Sequence, residues 1–138
     1  MRKITWISML SLAALIFAVI VSTASHALAY KRQSSRENGV RVDVVPVQLV
    51  QGQSVRFEVR MNTHSVALDQ DLAAVSVLKD DKGNAFQPTG WDGSPPGGHH
   101  RSGILTFPEL EPDSDRVTLI IRSIGDVPER SFVWRVQH

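Results

Sequence analysis

The sequence predicts an all-β domain, an antiparallel sandwich of about seven strands, and three observations carry that reading. From residue 40 onward apolar residues recur with period two; short runs of this kind follow one another at regular spacing; and no long stretch has the 3.6-residue period of a helix. The clearest run is SVRFEVRM, 54–61, where Val55, Phe57, Val59 and Met61 alternate with Arg56, Glu58 and Arg60. A helix would scatter those charges around its circumference, whereas a strand sorts them into a core face and a wet face.

Taken in order, the chain opens with Arg2 and Lys3, a mostly apolar stretch over 4–21, and Ala27-Leu28-Ala29. A basic start, an apolar middle and small residues at the two positions a signal peptidase reads are the features of an export signal cleaved after Ala29. The apolar stretch exceeds the about 7–15 residues of an ordinary signal core and approaches the roughly 18 of a membrane span. Residues 1–29 are therefore expected to be a signal peptide or an uncleaved membrane anchor. Either form places the remainder outside the cytoplasm, periplasmic or extracellular, and limits membrane contact to residues 4–21. Residues 30–39 read as a polar tether, and 40–138 as the folded domain.

Within the domain, VRVDVVPVQLV at 40–50 alternates as Val40, Val42 and Val44, then shifts phase to Val45, Val47 and Leu49 across Pro46. Proline donates no ladder hydrogen bond, so an edge strand with a bulge or a change of sheet is expected there. The run at 54–61 follows. Residues 73–79 and 85–88 flank DDKGN, where Gly83 suits a short hairpin loop. SGILTF, RVTLIIR and RSFVWRV, at 102–107, 116–122 and 130–136, complete the set of seven. Short strands separated by Pro- and Gly-containing turns over about 100 residues fit an immunoglobulin-like sandwich.

Composition narrows the function classes. Removing residues 1–29 of the 138 leaves 109, enough for one core, and lowers Lys plus Arg from 15 to 13 against 14 acidic residues. A net charge near −1 with no clustered basic run gives no reason to expect a nucleic-acid partner. There is no cysteine, which excludes disulfides, thiolate metal sites and cysteine nucleophiles.

If successive strands reverse direction, residues 62–72, 89–101 and 123–129 gather at one end of the sandwich. They bring His64, Asp69 and Asp71 together with Trp91, Asp92, His99, His100 and Arg101. Two or three imidazoles with a carboxylate make an ordinary shell for zinc or copper(II), so a divalent-metal site is expected from His64 and His99, completed by His100 or by Asp69 and Asp71. His99 is favoured over His100 because it falls in phase with Leu105 and Phe107. Trp91 would shield the site. The alternative is that GGHHR, 97–101, is turn architecture, with Asp69 and Asp71 capping backbone amides. Arg101 among glycine amides could then cradle an anion or contact an envelope protein. Titrating histidines would also permit pH-dependent recognition. Ser65 and Ser102 lie near histidines, but no GxSxG elbow is present, and a non-catalytic protein is expected.

The blocks FEVRMNTHSVALD, VLKDDKGNAFQP, GWDG and GGHHRSGILTFP, spanning roughly residues 54–107, resemble a group of small exported bacterial immunoglobulin-like β-sandwich proteins of unassigned function. The fold and compartment are also similar to those of CopC-type periplasmic copper carriers. Their copper site uses an N-terminal histidine, whereas the mature chain here would begin at Tyr30, so the resemblance implies the sandwich and not the site.

Overall fold

The computed structural model describes residues 29–138; residues 1–28 of the expected signal or anchor segment, 4–21 among them, lie outside the described residues. Two antiparallel sheets face each other. The first has the order β1-β2-β3-β7-β6 and the second β5-β4-β8-β9. Their strands are β1 Gln33–Glu37, β2 Val40–Gln48, β3 Ser54–Thr63, β4 Ser76–Asp80, β5 Ala85–Phe86, β6 Gly90–Gly93, β7 His100–Glu109, β8 Arg116–Ile124 and β9 Val127–Arg135. One helical turn, α1 Leu72–Val75, joins β3 to β4. Among the described residues no helix is long and apolar enough to cross a membrane.

The alternation read from β3 holds: Val55, Phe57, Val59 and Met61 are buried, and Arg56 and Arg60 are exposed. Their partners across the sandwich are Leu78, Leu119, Ile121, Phe132 and Trp134, and Phe57 meets Trp134 with ring centroids 5.3 Å apart. Packing alone holds this core, because the chain has no cysteine to cross-link it.

Three expectations change. Nine strands are present among the described residues, where seven were expected. The two additions are β6 and β1, and β1 turns most of the expected tether, 30–39, into folded structure. β1 pairs with β2 from Gln33 opposite Val44 to Glu37 opposite Val40. Asn38 and Gly39, with φ of 49° and 75°, make the two-residue turn between them, the conformation a tight hairpin needs. Gln33 reaches across to β9, where its side-chain amide donates to Val133 O and accepts from Val133 N. Upstream, Lys31 O accepts from Trp134 Nε1 at 2.9 Å, and the Tyr30 hydroxyl accepts from Gln137 N at 3.1 Å.

The second change concerns β2. Its bulge lies between Pro46 and Gln48, as Pro46 suggested, but the inward phase runs through Pro46 and resumes at Leu49, leaving Val47 49% exposed. β1 has ended by Val44, so no strand on that side needs the N–H that Pro46 lacks. The third change is the start of the 73–79 run, which forms α1 before β4 begins.

The DDKGN hairpin forms as expected. Asp80 Oδ1 accepts from the amides of Lys82 and Asn84, both at 2.9 Å, and Gly83 takes φ 89°.

Candidate functional site

The loop end forms where β3 stops at Thr63 and β7 starts at His100. The β1–β2 turn, the 64–71 segment, the 94–99 segment and the β8–β9 turn all lie there. The 64–71 and 94–99 segments are joined by backbone bonds: Thr63 N to His99 O at 3.0 Å, Leu68 N to Gly98 O at 3.0 Å, and Gly97 N to Leu68 O at 2.9 Å. Gly97 and Gly98 adopt φ of 112° and 73°, so the glycine pair supplies a backbone path that other residues take only under strain.

Arg101 occupies the inward position at the start of β7, opposite Met61 and in phase with Leu105 and Phe107; it is 2% exposed. Its Nη1 donates to Leu68 O at 3.0 Å and Gln70 O at 2.6 Å, and its Nη2 to Ser94 O at 3.3 Å. The guanidinium carbon lies 5.8 Å from the Trp91 ring centroid, and Trp91 Nε1 also donates to Ser94 O, at 2.9 Å. Burial lowers the guanidinium's proton affinity, while the charges of Asp71 and Asp69 raise it. Arg101 is therefore a cross-link between two loops, with Nη1 and Nη2 turned to backbone carbonyls and Nε buried without a hydrogen-bond partner.

The histidines fall differently from the expected set. His99 precedes the strand and is exposed, contributing its carbonyl to Thr63; the inward place that its phase suggested belongs to Arg101. His100 faces outward, where its Nδ1 lies 2.7 Å from Oδ1 of Asn62, the residue directly opposite. His64 lies near His100 with ring centroids 6.5 Å apart and planes at 81°. Thus His64 neighbours His100.

The carboxylates have separate duties. Asp71 caps α1 by accepting from Ala73 N at 3.0 Å, the turn-capping role weighed for it above. Asp69 is exposed beside Gly97. Among the described residues no group of three or more His, Asp or Glu side chains is placed to hold a metal ion.

Trp91 packs partly against the core from β6, and its ring covers the directly opposed pair Gly93 and Gly103. A Cβ on Gly103 would lie 2.8 Å from Trp91 Cζ2 and 2.6 Å from Gly93 Cα. The two glycines make room for the ring, which fits a packing role better than a metal shield.

A second buried arginine went unread in the sequence. Arg130, 2% exposed, donates through Nη1 to Ser35 Oγ at 2.8 Å and Val40 O at 3.2 Å. Its Nη2 donates to Glu37 O at 3.0 Å and Ile124 O at 3.1 Å. Burial lowers its proton affinity too, and the charge of Glu37 raises it. Arg130 joins the β1–β2 and β8–β9 turns as Arg101 joins the other two loops. The available signal was phase: Arg130 alternates inward with Phe132, Trp134 and Val136, as Arg101 does with Leu105 and Phe107.

Two concavities open beside this frame at the loop end of the first sheet. One, of about 480 Å³, lies between the β1–β2 turn and His64 and includes Arg36, Arg41 and Asn62 in its walls. The other, of about 280 Å³, is formed by Arg60, Asn62, His100, Arg101 and Ser102. Asn62 belongs to both. No protein family, curated protein or solved structure matches this chain.

Proposed function

We propose that this protein is an exported, non-catalytic interaction module with an immunoglobulin-like sandwich, whose GGHHR segment is architecture and whose partner in the cell envelope is met by the outer face beside it. The observation that carries this reading is Arg101. Its Nη1 and Nη2 and the surrounding amides donate to carbonyls of the two loops, which favours reading the segment that looked most like a site as the tie that holds the loop end. A rigid frame presenting exposed polar side chains suits recognition. The strand order supports the immunoglobulin-like assignment: β2-β3-β7-β6 corresponds to A-B-E-D and β4-β8-β9 to C-F-G. Export rests on residues 1–29, and N-terminal sequencing of the mature protein should read from Tyr30.

A second reading, a zinc or copper(II) site, is favoured by one contact, the approach of His64 to His100. Calorimetric titration with each metal separates the two. The module reading expects no stoichiometric uptake that depends on these side chains. One-to-one binding abolished by the His64→Ala, His100→Ala double variant would overturn it in favour of the metal. Loss in a His64→Ala, His99→Ala variant, with His100 dispensable, would restore the pairing expected from the sequence.

A further inference from the structure

We infer that the pocket between the β1–β2 turn and His64 binds an oxyanion, a carboxylate or phosphate group, held by Arg36 and Arg41 with Asn62 and His64 beside them. The inference rests on the interaction-module reading and gives its ligand a chemistry.

Register places the groups. Arg36 is directly opposite Arg41, Arg41 is opposite Asn62, and Asn62 is opposite His100, one row across four adjacent strands. Val40, Val42, Met61 and Arg101, their neighbours along the strands, are buried, so the row lies on the outer face. Strands sit about 4.8 Å apart, which puts Arg36, Arg41 and Asn62 within roughly 10 Å along the row.

Charge supplies the second strand of evidence. Like charges directly opposite each other on a sheet destabilise it. Asp43 answers Arg41 through Nε, at 2.8 and 2.9 Å to its two oxygens, while Arg36 makes no ion pair among the described residues. The opposed guanidinium pair therefore carries more positive charge than Asp43 balances, and a bound anion would relieve it.

Hydrogen-bond polarity supplies the third. His100 Nδ1 lies 2.7 Å from Asn62 Oδ1, a contact that engages one side of the amide oxygen and leaves the NH₂ group for a ligand. Thr63 Oγ1 already accepts from the amides of Ser65 and Val66 at 3.2 and 3.4 Å. Two guanidinium groups and the Asn62 amide make the pocket rich in donors, the complement of an acceptor-only oxyanion and a poor match for a cation. Glu37 is the opposing group in the wall, with Oε1 accepting from Ser35 Oγ at 3.3 Å. The volume of about 480 Å³ accommodates the anionic group together with part of the molecule that bears it.

The test is a two-dimensional NMR titration of the purified protein with inorganic phosphate at constant ionic strength. Saturable shifts confined to residues 36–41, 62–64 and 100 are expected. Affinity should fall roughly tenfold or more in Arg36→Gln, Arg41→Gln, rise in Glu37→Gln, and stay unchanged in Arg56→Gln, on the same face at the far end of β3. Retention of the dispersed spectrum shows that each variant is folded. Sedimentation with vesicles of anionic and of zwitterionic phospholipid separates the sources: retention by the anionic vesicles alone, lost in Arg36→Gln, Arg41→Gln, identifies a lipid headgroup, and phosphate binding without it identifies a soluble anion. Shifts that never saturate, or that weaken equally in Arg56→Gln, would overturn the inference, as would the absence of binding in both arms. That failure would leave the module reading to the metal titration, which reads cation uptake at the histidines and does not depend on Arg36 or Arg41.

Discussion

Replacing Arg101 by methionine removes three charge-assisted hydrogen bonds while filling much of the same volume. Hydrogen bonds to a charged group contribute about 1.5–3 kcal/mol each, so simple addition would give a loss larger than most single substitutions cause. Two structural facts reduce it. Leu68 O keeps a donor, Gly97 N at 2.9 Å, and the bonds to Gln70 O and Ser94 O are only part-buried, so those carbonyls can be rehydrated. Recovering the guanidinium's desolvation cost offsets several kcal/mol more. The net expectation is a destabilisation of about 2–3 kcal/mol, or roughly 2 M in the urea midpoint at a slope near the low end of the usual range for small domains. Equilibrium unfolding followed by tryptophan fluorescence measures it, and Trp91 reports directly because its ring lies over the guanidinium. Arg101→Lys, which keeps charge but loses the planar fork, should fall between the two. A shift under about 0.5 M for the methionine variant, with unchanged slope, would refute the view of Arg101 as the cross-link of this end.

Other outcomes follow from the same frame. Gly103→Ala would place its Cβ 2.5 Å from Asp92 O and 2.6 Å from Gly93 Cα, so it should detach β6 and cost more than about 2 kcal/mol, with amide exchange quickening in β6 first. Burial would raise the carboxyls of Asp43 and Asp80, but hydrogen bonds outweigh it, from Ser34 and Arg41 to the first and from Asn84, Lys82 and Ser114 to the second, and both end below the ordinary carboxylate value. Their stabilisation is therefore complete above the unfolded value of about 3.9 and lost as the pH falls through the lower folded values; urea midpoints should drop below about pH 4, less steeply in Asp80→Asn. Gln33→Ala would free Val133 N and O on the β9 edge, and sedimentation velocity should then show self-association at concentrations where the parent is monodisperse.

The parts of the fold legible in the sequence were those whose faces differ in polarity. β3, β7 and β9 alternate, β8 carries the apolar run Leu119-Ile120-Ile121, and these strands placed most of the core. β1 escaped because QSSRE is polar on both faces, as an edge strand resting on Ser, Gln and backbone contacts can be. β6 escaped because GWDG is four residues long and has a single large side chain. At the loop end, phase was the right instrument applied to the wrong residue. It marked His99 as inward, but the strand begins one residue later, and the inward position nearest the core belongs to Arg101. A buried arginine is hard to expect because its partners, carbonyls of Leu68, Gln70 and Ser94, become neighbours only through the tertiary fold.

The stitching of Tyr30, Lys31 and Gln33 to β9 and to Gln137 just beyond it makes the closing contacts of the sandwich the longest in sequence described above. Each bond joins residues about a hundred positions apart, running from Val133, Trp134 and Gln137 back to residues 30–33. The contacts of residues 30–33 with β9 can form only once β9 is present, and contacts of such long range form slowly. In refolding, the seam between β1 and β9 is therefore expected to close after the locally paired hairpins have formed.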